Sequence, residues 1–195
     1  MDYLLFTLLG AGLVILVIYI VQRFAGFDAQ RPEDYDDGSL QIDLRRHLNG
    51  PIDCEGVIYG PTGRVTSRFS GAFEAKWEGN VGVMDEHFKY DSGATQQRQW
   101  NLRIGNDGAI QATAADVLGE GTGMQRGSAV ELKYRIRLPE SAGGHVLDTV
   151  DWMYLTPNGT IVNRSQFRKF GIRVAELVAT MTPRERPSMP DRGPA

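Results

Sequence analysis

The first feature of the hydropathy pattern is an uncharged, almost wholly apolar run from Tyr3 to Val21, 19 residues long. At about 1.5 Å of rise per residue, such a helix spans the roughly 30 Å hydrocarbon core of a bilayer. A cleaved signal peptide is the rival reading. It fits less well, because Met1-Asp2 supplies no basic leader and Gln22-Arg23-Phe24 no small-residue cleavage site. The expectation is a retained transmembrane anchor over residues 1–25. The next stretch, 26–39, holds Asp28, Glu33, Asp34, Asp36 and Asp37 with Pro32 and Gly38 and no apolar period, which predicts a flexible acidic linker. The end of the chain, 182–195, carries Pro183, Pro187, Pro190 and Pro194 and reads as a disordered tail.

Between these flanks, residues 40–181 form the predicted folded unit. Leu40, Leu44 and Leu48 recur at helical spacing before Asn49-Gly50-Pro51, which predicts one short helix. Period-two alternation then takes over. It is clearest where Val130, Leu132, Tyr134, Ile136 and Leu138 alternate with Glu131, Lys133, Arg135 and Arg137. Strands are expected near 52–59, 65–77, 80–90, 94–104, 109–118, 128–138, 146–155, 160–167 and 170–181, about nine in all. Consecutive hairpins with one apolar face must close or expose a greasy edge. The pattern therefore predicts an all-β, up-and-down antiparallel barrel of the lipocalin type, with a two-sheet sandwich as the alternative.

Turn chemistry sets a register. Glu78-Gly79 as a two-residue loop places Phe73 opposite Met84 and Phe69 opposite Phe88. Asp91-Ser92-Gly93 pairs Glu86 with Arg98 and Met84 with Trp100, and Asn106-Asp107-Gly108 pairs Arg98 with Asp116 and Trp100 with Ala114. Asn158-Gly159 brings Met153 opposite Arg164, with Asp151 diagonal to it. The predicted inner face mixes Phe69, Phe88 and Trp100 with Gly71, Gly82, Ala112 and Ala114, which suits either a dry core or a cavity for one small apolar ligand.

On that face lies a charged ladder, Glu86, Arg98 and Asp116. An unpaired ion indoors costs several kcal/mol, so the five-donor guanidinium is the sensible central member. Such networks more often fix register than bind anything. The functional alternative is a polar floor on which Arg98 receives a carboxylate, phosphate or carbonyl of a ligand, with Trp100, Phe88 and Phe69 as its apolar surround. Asp151 with Arg164 is expected as a secondary ion pair.

Composition trims the possibilities. Lys plus Arg number 21 against 24 Asp plus Glu, for a net charge of -3, which leaves no electrostatic footprint for nucleic acid. The lone Cys54 and three histidines give no disulfide, metal site or cofactor framework to propose. Gly119-Glu120-Gly121-Thr122-Gly123 lacks the lysine and helix of a phosphate loop and reads as a distorted strand or bulge.

The segments Asn49-Gly50, Asp85-Glu86-His87-Phe88-Lys89-Tyr90-Asp91, Arg98-Gln99-Trp100, Ala115-Asp116-Val117-Leu118-Gly119, Asp151-Trp152-Met153-Tyr154, Asn163-Arg164 and Phe170-Gly171 resemble an uncharacterised bacterial family of putative lipoproteins, over about Leu48 to Met181. Two departures stand out. A membrane helix replaces the family's lipid-modified cysteine, and Gly127-Ser128 stands where a Gly-Asn pair is expected. The resemblance implies a cell-envelope location and some connection to membrane fatty-acid modification. It implies no activity.

Together these readings predict a single-pass protein of the bacterial inner membrane with a periplasmic barrel, although Arg23 and Arg31 after the helix weakly favour the cytoplasm. The expected role is binding a lipid or fatty-acyl ligand. A non-catalytic scaffold for membrane enzymes is the alternative. An acyl-chain-modifying enzyme ranks last, since no nucleophile or cofactor cradle is legible.

Overall fold

In the computed structural model, which describes residues 2–38 and 40–184, the alternating segments close into one antiparallel barrel of ten strands. They are β1 (Gly50–Tyr59), β2 (Val65–Glu78), β3 (Val81–Tyr90), β4 (Thr95–Ile104), β5 (Ala109–Thr113), β6 (Gly121–Arg126), β7 (Ala129–Arg137), β8 (Val146–Leu155), β9 (Ile161–Lys169) and β10 (Ile172–Pro183). Each pairs with its sequence neighbours, and β10 pairs with β1 from Ile52 opposite Pro183 to Tyr59 opposite Glu176. Closure satisfies both edges, so the sandwich alternative falls.

Alternation decides which side chains enter. Along β7, Val130, Leu132, Tyr134 and Ile136 are buried while Lys133, Arg135 and Arg137 are exposed. The count exceeds nine because the strand expected over 109–118 ends at Thr113, and 121–126 makes a strand of its own. Its glycines hid it. Gly123 lies so near β7 that an added Cβ would sit 2.1 Å from the Glu131 carbonyl oxygen.

Two hairpins differ from the predicted register. The β2–β3 turn is Gly79-Asn80, not Glu78-Gly79, with Gly79 at φ 57°. Phe73 therefore faces Glu86 and Phe69 faces Tyr90. This is a shift of two residues, which keeps every side chain on its expected face. The β8–β9 loop is one residue longer than expected: Thr156 N–H donates to Thr160 O at 2.9 Å, and the Asn158 carboxamide oxygen accepts from Thr160 N–H at 3.1 Å. That slip of one pairs Met153 with Asn163 and sends Arg164 to the outside.

The short helix predicted at Leu40–Leu48 is a single turn, α2 (Leu44–His47), capped by Asp43, whose carboxylate accepts from Arg45 N–H at 3.0 Å. It plugs one end of the barrel. Leu44 and Leu48 are each 2% exposed. Leu48 O accepts from the Trp77 indole at 2.7 Å, and Arg45 donates to Asn80 at 2.6 Å. This closed end carries the β2–β3, β4–β5, β6–β7 and β8–β9 turns. The mouth is opposite.

N-terminal helix α1 (Asp2–Phe24) is exposed throughout its apolar run. Beyond it, the segment expected to be a flexible linker is docked as a strap on the outer wall of β8 and β9. Phe27 is buried against Trp152 and Ala129, and the Tyr35 ring centroid lies 5.4 Å from that of Trp152. The acids that suggested a solvated tether instead meet arginines: Asp28 pairs with Arg168 at 2.7 Å, and Glu33 and Asp36 pair with Arg126 at 3.2 and 3.0 Å. Gly127 lets the strap pass, since a Cβ there would lie 2.0 Å from Tyr35 O. Of the predicted tail, Thr182 and Pro183 belong to β10 and Arg184 grips Asp53 at 2.7 Å, while 185–195 lie outside the described residues.

Because Phe27 anchors the strap, Phe27→Ala should cost about 2 kcal/mol, below a full core truncation since one side of the ring meets arginine side chains. Limited proteolysis should then cut within 27–36 well before the barrel. Unchanged protection would show that the ion pairs alone hold it.

Candidate functional site

The barrel surrounds a cavity of about 1090 Å³. Its walls are mostly apolar and include Phe69, Phe73, Met84, Phe88, Leu177 and Met181, while Tyr90, Gln96, Leu138 and Pro139 lie where it reaches the mouth. Leu44 and Leu48 form its floor at the plugged end. Phe69 and Phe73 set their ring edges against Phe88, with centroids 5.5 and 5.1 Å apart.

The predicted ladder is present on this inner face. Glu86 on β3 and Arg98 on β4 are direct partners in the strand ladder, as expected from the Asp91-Ser92-Gly93 loop. Asp116 sits beyond the end of β5, held where its carbonyl accepts from Arg137 N–H at 2.8 Å. From there its carboxylate accepts from Arg98 Nε at 3.1 Å. The guanidinium lies over the Trp100 ring, 4.0 Å from its centroid.

Sequence reasoning did not foresee how the cluster continues. Trp100 meets Tyr134 of β7 edge to face at 5.2 Å, and the Tyr134 hydroxyl donates to Asp151 Oδ2 at 2.9 Å. Asp151 is thus an inner residue joined to the ladder. Its expected partner Arg164 is not there: it faces outward and donates to Glu176 at 2.8 Å. The one-residue slip of the β8–β9 hairpin is the cause. Tyr134 was legible as inward-facing, but nothing in its own strand pattern points to Asp151.

Electrostatics make this cluster unusual. Burial, reinforced by Asp151 and Asp116 and opposed by Arg98, pushes the Glu86 carboxyl up to about 7. Burial likewise raises Asp151, and it raises the Tyr134 phenol far above its ordinary range. Burial disfavours the Arg98 charge, but Tyr134, Glu86 and Asp116 outweigh it and hold the guanidinium above the usual arginine value. Cavity-lining Cys54 is pushed up to about 12, first by burial and then by Glu86 and Glu55, so its thiol is inert as a nucleophile. Among the described residues, three buried polar atoms of side chains that line the cavity have no partner: Glu86 Oε2, Arg98 Nη2 and Asp151 Oδ1.

The model of a family described as Protein of unknown function (DUF3833) matches residues 21–183. The chain belongs to this family. No curated protein matches it in sequence. Among solved structures, the DUF3833 chain is similar to Rv2717c from M. tuberculosis, at 14% identity and a TM-score of 0.52, over 71% of this chain and 94% of that one. It is also similar to the S-type phycobiliprotein lyase CPES from Guillardia theta, at 6% identity and a TM-score of 0.53, over 83% and 99%. At such identities the likeness concerns the lipocalin-like barrel and nothing finer.

Proposed function

We propose that this DUF3833 protein is a membrane-tethered barrel that binds one lipid-like or otherwise apolar small molecule. The observation that carries the reading is a largely apolar cavity of about 1090 Å³ whose lining includes Glu86, Arg98 and Asp151, each of which holds a buried polar atom without a partner among the described residues. Native interiors satisfy buried polar groups, and a ligand group at this spot would do so. Asp116 already neutralises Arg98, so the patch has no net positive charge with which to hold a permanent anion. It suits a carboxyl or carbonyl end, with Arg98 Nη2 and a protonated Glu86 as donors and the apolar walls against the chain. In this reading α1 stays as a single-pass anchor in the bacterial inner membrane, with the barrel on the periplasmic side. The link to membrane fatty-acid modification is then through binding.

Native mass spectrometry of the full chain, gently extracted in detergent, should find a bound amphiphile. Leu177→Trp fills the cavity while leaving the ladder intact. It should weaken saturable binding of a polyene fatty-acid probe by about tenfold or more, as overpacking a site costs roughly 1–3 kcal/mol. Absence of both the co-purified molecule and saturable probe binding would defeat the reading.

A further inference from the structure

The β9–β10 turn departs from ordinary turn chemistry. Lys169 pairs with Ile172, leaving Phe170 and Gly171 as its two central residues at φ 53° and 76°. Two left-handed residues in succession make the hairpin turn that favours Asn-Gly, and a bulky aromatic side chain is a costly occupant of the first position. Phe170 is the only non-glycine residue with positive φ among the described residues. It is also 91% exposed, beside Ile172 at 70%, whereas no other described large apolar residue outside α1 exceeds 45%. Neither local conformation nor packing rewards a phenylalanine here, and such a strained exposed residue points to a contact outside the barrel.

The fold specifies where that contact lies. An odd-to-even turn such as β9–β10 sits at the mouth, with the β3–β4 and β7–β8 turns. The anchor leads to the same end. Asp28 is clamped to Arg168, two residues before Phe170, and from there the strap descends to the closed end, where Ser128 N–H donates to Tyr35 O at 3.1 Å. Three residues separate Phe24 at the end of α1 from Asp28, four Cα steps with a reach of about 14 Å at most. The strand adds about 7 Å from Arg168 to the tip. When the apolar run of α1 crosses the bilayer, these lengths set the mouth beside its surface and the plugged end away from it. Lys169, whose Nζ is 5.8 Å from the Phe170 ring centroid, is the adjacent cation for lipid phosphates.

Resting on the anchoring part of the proposed function, we infer that Phe170 and Ile172 insert into the interface of the bilayer crossed by α1. They hold the mouth against the lipid, so that a ligand passes between bilayer and cavity without traversing bulk water. The occupant of this apolar tip is the bilayer itself.

The test uses the full chain in vesicles of phosphatidylethanolamine and phosphatidylglycerol, with Cys54→Ala as background. An NBD probe is placed by Ile172→Cys at the mouth or by Asn158→Cys at the closed end. Doxyl-labelled lipid should quench the mouth probe several-fold more than the other. Phe170→Asn should restore favoured turn chemistry, keep or raise the thermal midpoint, and drop quenching at the mouth to the closed-end level. Equal quenching at the two positions, with α1 resisting alkaline extraction, would overturn the inference. If intact mass shows α1 absent from the mature chain, the anchoring reading fails instead. Quenching of the mouth probe by added vesicles then still supports hairpin insertion, and its absence overturns it. A hairpin that inserts beside a cavity that binds nothing would defeat only the ligand reading.

Discussion

Replacing Glu86 by glutamine should flatten the dependence of stability on pH. In the folded barrel Glu86 takes up its proton near 7, against an ordinary 4.5. Between those values the folded chain holds a proton that the unfolded chain has lost. The stabilisation from that proton is complete below 4.5 and disappears as pH rises through 7. At about 1.4 kcal/mol per pH unit the swing amounts to about 3 kcal/mol, a large share of a domain's net stability. Glu86→Gln removes the titration and keeps the volume. Measured by urea unfolding, the variant should therefore gain on the wild type by about that amount between pH 4.5 and about pH 8. A parallel pair of curves would mean that Glu86 keeps an ordinary value and that water or another group serves Oε2. The same proton bears on binding. Below 7 Glu86 can donate to a ligand carbonyl or carboxyl, and above it a carboxylate opposes an acidic ligand, so affinity for a fatty acid should fall with rising pH.

The ladder was legible because its register rests on loops that admit few alternatives. Asp91-Ser92-Gly93 and Asn106-Asp107-Gly108 place glycines at φ 85° and 86°, a conformation that glycine alone accepts at little cost, and the pairings follow. The mistaken β2–β3 turn did no harm, since a slip of two preserves face. The mistaken β8–β9 turn mattered, since a slip of one inverts it. Asn158-Gly159 looked like a complete two-residue turn, whereas the asparagine side chain caps Thr160 and adds a residue to the loop. β6 was invisible because its glycines serve strand approach and carry no alternation. The strap was hidden by composition: two aromatic anchors, Phe27 and Tyr35, outweigh five acids once Trp152 and Tyr154 need covering. Contact of Tyr134 with Asp151, and the cavity beside it, depend on how tightly ten strands roll. No single strand pattern encodes that curvature.

Replacing Arg98 should be among the most costly single changes in the barrel. It is the cation that acts on Glu86 and Asp151, it pairs with Asp116 at 3.1 Å, and its side chain is only 13% exposed. Arg98→Met keeps most of the apolar contact with Trp100 but takes from the buried Glu86 and Asp151 the cation that acts on them and from Asp116 its ion-pair partner. Removing one partner of a buried ionic cluster costs about 3–5 kcal/mol, and near neutral pH the variant should lose that much. On acidification the deficit should shrink, because Glu86 and Asp151, both already raised by burial, take protons more readily once the guanidinium is gone. The expected pattern is a denaturation midpoint much further below wild type at about pH 8 than at about pH 5. A Glu86→Gln, Arg98→Met double variant should recover a substantial part of the loss, with the coupling read from the mutant cycle. Additive effects, or a deficit independent of pH, would show that Arg98 stabilises by stacking on Trp100 alone. In that event the cluster is no electrostatic unit, and a ligand's polar end gains nothing from lying there.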